Sequence, residues 1–166
     1  MARVFLGIGS NLGDRVELME AAIAQLQRLE GTRLVARSQL YETEPWGGVD
    51  RQRWFLNCAV EIETVLPPRR LLELTQTIET DLGRTRRPGP LFEPRTMDID
   101  LLLYGDHVIS NFELQVPHPL MHERRFVLAP LAEIAPSVEH PVLYRTIQDL
   151  LANLGELGGH VFLFPR

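Results

Sequence analysis

The sequence predicts an α+β fold built on an antiparallel sheet. Four segments have the hydrophobic pattern of β-strands, and two segments with helical periodicity separate them in the order β-α-β-β-α-β. Further helical segments follow the fourth strand. That order is typical of the ferredoxin-like arrangement, in which helices pack on one face of the sheet. We therefore expect a ferredoxin-like βαββαβ core, with the appended helices on the second face and three layers in all.

The composition indicates one globular domain over residues 1–166, because 45% of the 166 residues are hydrophobic and 23% are charged. The formal net charge is −5 and the pI is about 5.5. Nucleic acids bind mainly through neutralisation of their phosphates, so this charge disfavours a broad DNA or RNA surface. All 17 cationic side chains are arginine, so a cluster of them is more informative than any single position.

Three features of the sequence indicate the cellular compartment. Cys58 is the only cysteine, which excludes an internal disulfide and a cysteine-based metal site. The N-terminus lacks the pattern of a signal peptide, and no apolar run approaches the length that spans a membrane. We expect a cytoplasmic protein without a membrane partner.

The first strand, Val4–Gly9, runs into a Gly-Ser-Asn-Leu-Gly turn and a helix. Asp14 and Glu17 have the spacing of a capping box, and Gly31 ends the apolar stripe of the helix. A glycine-rich turn before a helix can bind phosphate. This turn lacks the lysine of a Walker motif, so we interpret Gly13 as a turn glycine.

The second and third strands are predicted at Leu34–Thr43 and Trp54–Thr64. The third alternates strictly, which places Phe55 and Asn57 on the same face. The connection Glu42–Arg53 has roughly a dozen residues, more than a hairpin needs, so we expect a functional loop. Trp46 in this loop either stacks on a ligand or packs on the core.

The second helix begins at Pro67 and ends at Leu82. Its inward positions are expected to be Leu71, Leu74, Ile78 and Leu82. Gln76 and Glu79 lie on the polar side, near the arginine-rich segment that follows. Taken alone, such residues most often belong to a solvated helix face.

The fourth strand is predicted at Met97–Tyr104 and carries two carboxylates. Side chains alternate along a strand, so Asp98 and Asp100 point to the same face. Two like charges held together favour a cation between them, and carboxylate oxygens suit a hard ion such as Mg²⁺. The run Leu101–Leu103 requires burial on both faces, which argues against an edge strand. The alternative is a pair of solvated carboxylates on an edge strand.

A segment rich in proline and glycine precedes this strand and carries Arg84, Arg86, Arg87 and Arg95. Guanidinium groups bind phosphate oxygens through paired hydrogen bonds. Together with the two carboxylates, they predict a site for a metal-chelated polyphosphate. Their alternative role is as solvated partners of surface carboxylates.

The remaining segments predict a turn, a connector, two helices and an edge strand. Gly105–Val108 is a tight turn into a short return strand. His118 lies between two prolines, where a histidine is usually structural, although it would contact phosphate if the connector folds back toward the arginines. Helices are expected at Val127–Ile134 and Arg145–Leu154, and Val161–Phe164 is expected to form an edge strand or an extended arm.

Several motifs follow one another along the chain: G-x-G-S-N-L-G, F-L-N-C-A-V, Q-x-x-E with G-R-x-R-R, P-R-T-M-D-I-D-L-L-L-Y-G, and V-P-H-P-x-M-x-x-R-x-F. Together they resemble the 6-hydroxymethyl-7,8-dihydropterin pyrophosphokinases of folate biosynthesis, from about Val4 to Pro136. The resemblance implies an enzyme that transfers pyrophosphate from ATP to the hydroxymethyl group of the pterin and releases AMP. ATP would be the co-substrate, and two Mg²⁺ ions would be required.

The resemblance also implies site residues. Asp98 and Asp100 match the aspartates that hold the two Mg²⁺ ions, and Arg84 and Arg95 match catalytic arginines. The positions implied to bind ATP are Gln76, Glu79, Arg86, Arg87, His118 and Arg124. The positions implied to bind the pterin are Asn11, Thr43, Phe55, Asn57 and Phe126, the last of which would sandwich the ring.

Two other classes remain open. A two-metal nucleotidyltransferase combines a Gly-Ser pair with two aspartates, but here Gly9 and Ser10 lie far from Asp98 in the sequence. A ferredoxin-like module that binds RNA or a ligand without catalysis should expose aromatic and basic residues, whereas the third strand carries Glu61 and Glu63. Release of AMP would distinguish the expected enzyme from both. No nucleic acid partner is expected, and the protein would be a monomer or a homodimer.

Overall fold

The computed structural model describes residues 1–44, 54–83 and 97–165. The strands in these ranges are β1 (Ala2–Ser10), β2 (Thr32–Arg37), β3 (Tyr41–Thr43), β4 (Phe55–Thr64), β5 (Asp98–Tyr104), β6 (Ile109–Ser110), β7 (Gln115–Val116) and β8 (Val161–Leu163). The helices are α1 (Arg15–Gln27), α2 (Pro68–Asp81), α3 (Arg125–Ile134) and α4 (Ile147–Leu154), with a 3₁₀ turn at Met121–Glu123.

The main sheet is antiparallel and has the strand order β5-β1-β4-β3-β8, while β2 pairs with the other half of β4. With β2 and β3 in the place of one strand, the element order is that of the ferredoxin-like core, so the predicted fold is confirmed. The predicted terminal edge strand is present as β8. The predicted return strand, β6, pairs with β7 in a separate hairpin.

An unbroken second strand is predicted from the sequence, but the structure divides it into β2 and β3. Between them Ser38 is buried, and its Oγ accepts a hydrogen bond from the backbone N–H of Ala59 over 2.9 Å. The backbone N–H of Ser38 also donates to the Ala59 carbonyl. The serine side chain thus replaces part of the ladder, so β4 pairs with both pieces although the strand is interrupted.

The two faces of the sheet pack against different helices. Val4 and Leu6 of β1 pack in a core with α1 and α2, whereas Phe5 between them packs in a second core with α3 and α4. Because alternate residues of a strand point to opposite faces, the helices cover both faces. The predicted three layers are confirmed. Cys58 lies in the first core, where burial raises the pKa of its thiol to about 12.

Strand β5 lies at one end of the sheet, so the prediction that it is not an edge strand is wrong. It is nevertheless buried on both faces, with Ile99 and Leu101 in the first core and Leu102 and Leu103 in the second. The chain that follows β7 covers part of its outer edge, because the backbone N–H of His118 donates to the Leu102 carbonyl over 3.0 Å.

The helices begin close to their predicted positions. Asp14 caps α1 by accepting a hydrogen bond from the backbone N–H of Glu17 over 3.1 Å, as the capping box predicts. The buried face of α2 differs from the prediction, since Thr75 and Glu79 are buried and Leu74 is only half-buried. Within the described ranges, no helix has the length and hydrophobicity to cross a membrane.

Candidate active site

One row of cross-strand partners joins two groups of predicted site residues, on the face of the sheet that packs against α3. Asp98 on β5 pairs with Gly9 on β1, and Gly9 pairs with Asn57 on β4. Neighbouring strands lie about 4.8 Å apart, so the backbones of Asp98 and Asn57 are separated by about 10 Å. The carboxylate and the amide therefore border one strip of sheet on which the residue between them has no side chain.

The close approach of Asn57 explains the glycine at position 9. A Cβ there would lie 2.5 Å from Asn57 Oδ1, well inside contact distance. Gly7, the partner of Asp100, differs because the nearest neighbour of a Cβ there would be the Leu102 side chain, at the ordinary contact distance of 3.5 Å. Gly9 is a site residue that the sequence analysis missed. A glycine inside a strand was the available signal, since it often marks a close backbone approach.

Asn57, Thr43 and Phe55 form one group, as the resemblance implies. Asn57 Nδ2 donates a hydrogen bond to Thr43 Oγ1 over 2.6 Å, and both side chains are buried. Phe55 is the cross-strand partner of Thr43 and shares a face with Asn57, as the alternation predicts. Its ring is only half-buried. A flat heterocycle could stack on this ring and meet the amide at its edge.

Asp98 and Asp100 are half-buried and emerge on the same face of β5, whereas Ile99 between them is buried in the first core. Within the described ranges, they belong to no cluster of three or more potential metal ligands. That donor set fits Mg²⁺, which usually binds one or two carboxylates together with substrate phosphates.

Glu79 lies behind this pair and is 2% exposed, so the expectation of a solvated helix face is wrong for this residue. Its Oε2 accepts a hydrogen bond from the backbone N–H of Ile99 over 3.0 Å. Gln76, one turn earlier on α2, is half-buried. Helix α2 is thus attached to β5 between the two aspartates.

The chain that follows β7 places His118 near Asp98. Its phosphate contact remains a prediction, because the arginine-rich segment toward which the connector would fold lies outside the described residues. Burial lowers the pKa of His118 to about 4, with a further contribution from the positive charge of Arg124, while the negative charge of Asp98 acts in the opposite direction. Its Nδ1 accepts a hydrogen bond from the backbone N–H of Leu120 over 3.3 Å. The neutral ring therefore carries its proton on Nε2.

Arg124 and Phe126 lie at the start of α3, and Arg124 is its N-cap residue. The Arg124 guanidinium carbon lies 5.7 Å from the centre of the half-buried Phe126 ring, within cation–π range. One short segment thus carries a predicted ATP contact and a predicted pterin contact. Asn11, a further predicted pterin contact, is buried just beyond the end of β1.

The remaining predicted positions lie outside the described residues. They are Arg84, Arg86, Arg87, Arg95 and Trp46.

Comparison with known proteins gives one consistent family. Residues 5–136 match the family described as 7,8-dihydro-6-hydroxymethylpterin-pyrophosphokinase (HPPK). The chain is 45% identical, over 95% of its length and 97% of the relative, to the 2-amino-4-hydroxy-6-hydroxymethyldihydropteridine pyrophosphokinase of Methylorubrum extorquens. It is 50% identical to the enzyme of the same name from Bacillus subtilis, over 81% of this chain and 79% of the relative.

Solved structures show the same fold. A crystal structure of HPPK-DHPS in complex with substrates matches with a TM-score of 0.72 at 15% identity, over 93% of this chain and 44% of that one. Wild-type HPPK-DHPS of Plasmodium falciparum gives a TM-score of 0.72 at 17% identity, over 92% of this chain. This chain spans less than half of those longer proteins. By the extent of the sequence matches, the chain belongs to the 7,8-dihydro-6-hydroxymethylpterin-pyrophosphokinase family.

Proposed function

We propose that this protein transfers the pyrophosphoryl group of ATP to the hydroxymethyl group of 6-hydroxymethyl-7,8-dihydropterin and releases AMP, as a step of folate biosynthesis. The observation that carries this proposal is the row Asp98–Gly9–Asn57. This row places a pair of carboxylates, which could bind a metal ion and its phosphate ligands, beside a buried amide, which could bind a heterocycle. Gly9 between them contributes no side chain. Membership of the family supports the same reaction.

The pterin would bind beside the group formed by Asn57, Thr43 and Phe55. Phe55 and Phe126 are half-buried aromatic rings that could stack on the two faces of the bicycle, while Asn57 and Thr43 bond its edge. Asn11 follows Gly9 by two residues, just beyond the end of β1, and is buried. A ring held there would extend its hydroxymethyl group across Gly9 toward Asp98.

Asp98 and Asp100 would hold two Mg²⁺ ions. When bound, Mg²⁺ neutralises charge on phosphate oxygens and lowers the proton affinity of a hydroxyl group. Among the described residues, Gln76, His118 and Arg124 are proposed to contact ATP. Glu79, for which the resemblance also implies an ATP contact, is buried behind β5 and accepts a hydrogen bond from the Ile99 N–H, so its proposed role is to hold that strand in place. Arg86 and Arg87, which lie outside the described residues, are also proposed to contact ATP, and Arg84 and Arg95 are proposed to add hydrogen-bond donors in the transition state.

In the proposed reaction, the hydroxymethyl oxygen attacks the β-phosphorus of ATP. A new oxygen–phosphorus bond forms, the bond between the β-phosphorus and the AMP oxygen breaks, and the hydroxyl proton is released. Such transfers depend on positioning and charge neutralisation more than on covalent catalysis by the protein. His118 can donate from Nε2 to a phosphate oxygen while remaining neutral, and the Arg124 guanidinium supplies a permanent positive charge.

The test is incubation with ATP, Mg²⁺ and 6-hydroxymethyl-7,8-dihydropterin, followed by separation of the nucleotides and pterins. The proposal predicts AMP and a pterin diphosphate in equal amounts, and none of either product without Mg²⁺. Release of pyrophosphate would instead indicate a nucleotidyltransferase. No Mg²⁺-dependent consumption of ATP would indicate a binding module without catalysis.

A further inference from the structure

The segment Gly155–Leu163 contacts two parts of the structure that carry proposed pterin contacts. We call these parts the α3 wall, the start of α3 that carries Phe126, and the β3 wall, strand β3 together with Glu44, which carries Thr43. The segment lies beyond residues 5–136, the part of the chain that matches the family. The segment itself therefore lies outside the family match, whereas Arg125 and Glu44, which contact it, lie inside the match.

On the α3 wall, the contacts converge on Arg125. Its backbone N–H donates to the Gly158 carbonyl over 3.1 Å. Its guanidinium donates to three further carbonyls of the segment, those of Leu157 at 2.8 Å, of Gly159 at 3.2 Å and of Gly155. Hydrogen bonds from a charged donor are stronger than neutral ones. Since Arg124 and Phe126 flank this residue, the start of α3 is attached to the segment between its two proposed substrate contacts.

On the β3 wall, the contacts converge on Glu44. Its Oε1 accepts a hydrogen bond from the backbone N–H of His160 over 2.8 Å and lies 3.1 Å from His160 Nδ1. The backbone N–H of Glu44 donates to the His160 carbonyl over 3.4 Å. Strand β8 then continues along β3, where Val161 is the direct partner of Thr43. The segment therefore fixes the strand that carries the hydrogen-bond partner of Asn57.

Two adjacent glycines let the segment fit between the walls. Gly158 and Gly159 have φ values of +89° and +91°, which favour glycine. A Cβ on Gly158 would lie 3.2 Å from the Arg125 backbone nitrogen, and one on Gly159 would lie 3.2 Å from Glu44 Oε1. One glycine thus packs against each wall.

We propose that Arg125 and Glu44 are positioning residues for the pterin, which act through this segment to set the spacing between Phe126 and the Thr43–Asn57 pair. The inference rests on the proposed function. A ring bound between an aromatic face and a hydrogen-bonding edge tolerates little change in their separation, because both contacts weaken within about 1 Å. Neither residue is proposed to contact the reacting atoms.

The experiment compares Arg125→Met, Glu44→Ala and the double variant with wild-type protein. The matched control is Arg33→Met, Glu63→Ala and their combination. Arg33 and Glu63 form an exposed ion pair of 2.6 Å, and Glu63 lies near the end of β4 far from Asn57. The measurements are the kcat and KM for each substrate, and calorimetric binding of the pterin in the presence of a non-hydrolysable ATP analogue. Thermal unfolding identifies any variant that fails to fold.

Each single variant should raise the KM and Kd for the pterin about tenfold, the effect of losing roughly one net hydrogen bond to a charged group. Saturating pterin should restore kcat, and the KM for ATP should stay within about twofold in Glu44→Ala. Because both residues act through one segment, the double variant should lose much less than the hundredfold expected of independent effects. The control variants should match the wild type.

Other results would overturn the inference. If the wild type binds the pterin and releases AMP while both single variants keep the wild-type KM and Kd for the pterin, the positioning role is wrong and the proposed function stands. Multiplicative effects in the double variant would show that the two residues do not act through one segment. If the wild type neither binds the pterin nor releases AMP, the proposed function fails and the inference fails with it.

Discussion

Glu79 on α2 accepts a hydrogen bond from the backbone N–H of Ile99 over 3.0 Å, and Ile99 separates Asp98 from Asp100. A buried carboxylate is therefore hydrogen-bonded to β5 at the residue between the two proposed metal ligands. The contact links the stability of the α2–β5 packing to the geometry of the proposed site.

Replacing Glu79 by alanine should lower the free energy of unfolding by about 1–3 kcal/mol, because it leaves the buried N–H of Ile99 without an acceptor. Glu79→Gln retains an acceptor oxygen and should lower the free energy of unfolding by a smaller amount. Urea unfolding measures both. Glu73→Ala is the control, since Glu73 is half exposed on the same helix and should change stability by about 0.5 kcal/mol or less. An equal loss in Glu73→Ala would contradict the structural role of Glu79.

Asp98→Asn and Asp100→Asn should each reduce AMP formation by several orders of magnitude. The amide keeps the shape of the side chain but removes the charge that a divalent cation requires. Pterin affinity should remain close to that of the wild type, because Asn57, Thr43 and Phe55 are unchanged. Turnover near the wild-type rate in either variant would contradict the proposed role of that residue as a metal ligand.

Gly9→Ala should weaken pterin binding by at least about tenfold, because a Cβ 2.5 Å from Asn57 Oδ1 must displace the amide. Gly7→Ala is a matched control on the same strand and the same face, where the added Cβ makes only an ordinary contact with Leu102, at 3.5 Å. Calorimetric titration with the pterin compares the two. Equal affinities in both variants would show that Asn57 does not require the glycine.

His118 should make stability depend on pH. Its folded pKa, about 4, lies below the ordinary value of 6.5, so the unfolded chain binds more protons between these values and stability falls as the pH decreases from about 6.5 to about 4. The loss should amount to about 2–4 kcal/mol, since one pKa unit corresponds to about 1.4 kcal/mol.

Urea unfolding of wild-type protein and His118→Asn across this range isolates the contribution of His118. The comparison with a variant is needed because burial also lowers the pKa of His140. The asparagine oxygen can accept the hydrogen bond from Leu120 but does not titrate. The variant should therefore show a shallower pH dependence, and parallel curves would contradict the low pKa of His118.

Local pattern predicted much of the fold and of the proposed site. Strand alternation placed Phe55 with Asn57 and Asp98 with Asp100, and both pairs lie as expected. These predictions succeeded because the period of a strand depends only on its own backbone. The motifs that resemble the family supplied the proposed roles of these residues, which alternation alone could not.

The predictions that failed depend on contacts between residues distant in the sequence. Glu79 can be buried because its carboxylate accepts a hydrogen bond from a backbone N–H of β5. No property of α2 alone indicates that partner. The second strand is interrupted because the Ser38 hydroxyl bonds to β4. Strand β5 is an edge strand whose faces are nevertheless covered, which an apolar run such as Leu101–Leu103 cannot distinguish from a central position.

The hydrogen bonds of the Arg125 side chain all end on main-chain oxygens of the segment beyond α4. Every amino acid supplies such an oxygen, so this attachment recognises the path of the backbone and not the identity of residues such as Leu157. Apart from glycines such as Gly158 and Gly159, whose backbone conformation restricts the choice of residue, related chains could therefore diverge in composition there while remaining intolerant of insertions and deletions, which would shift the carbonyls out of register with the guanidinium.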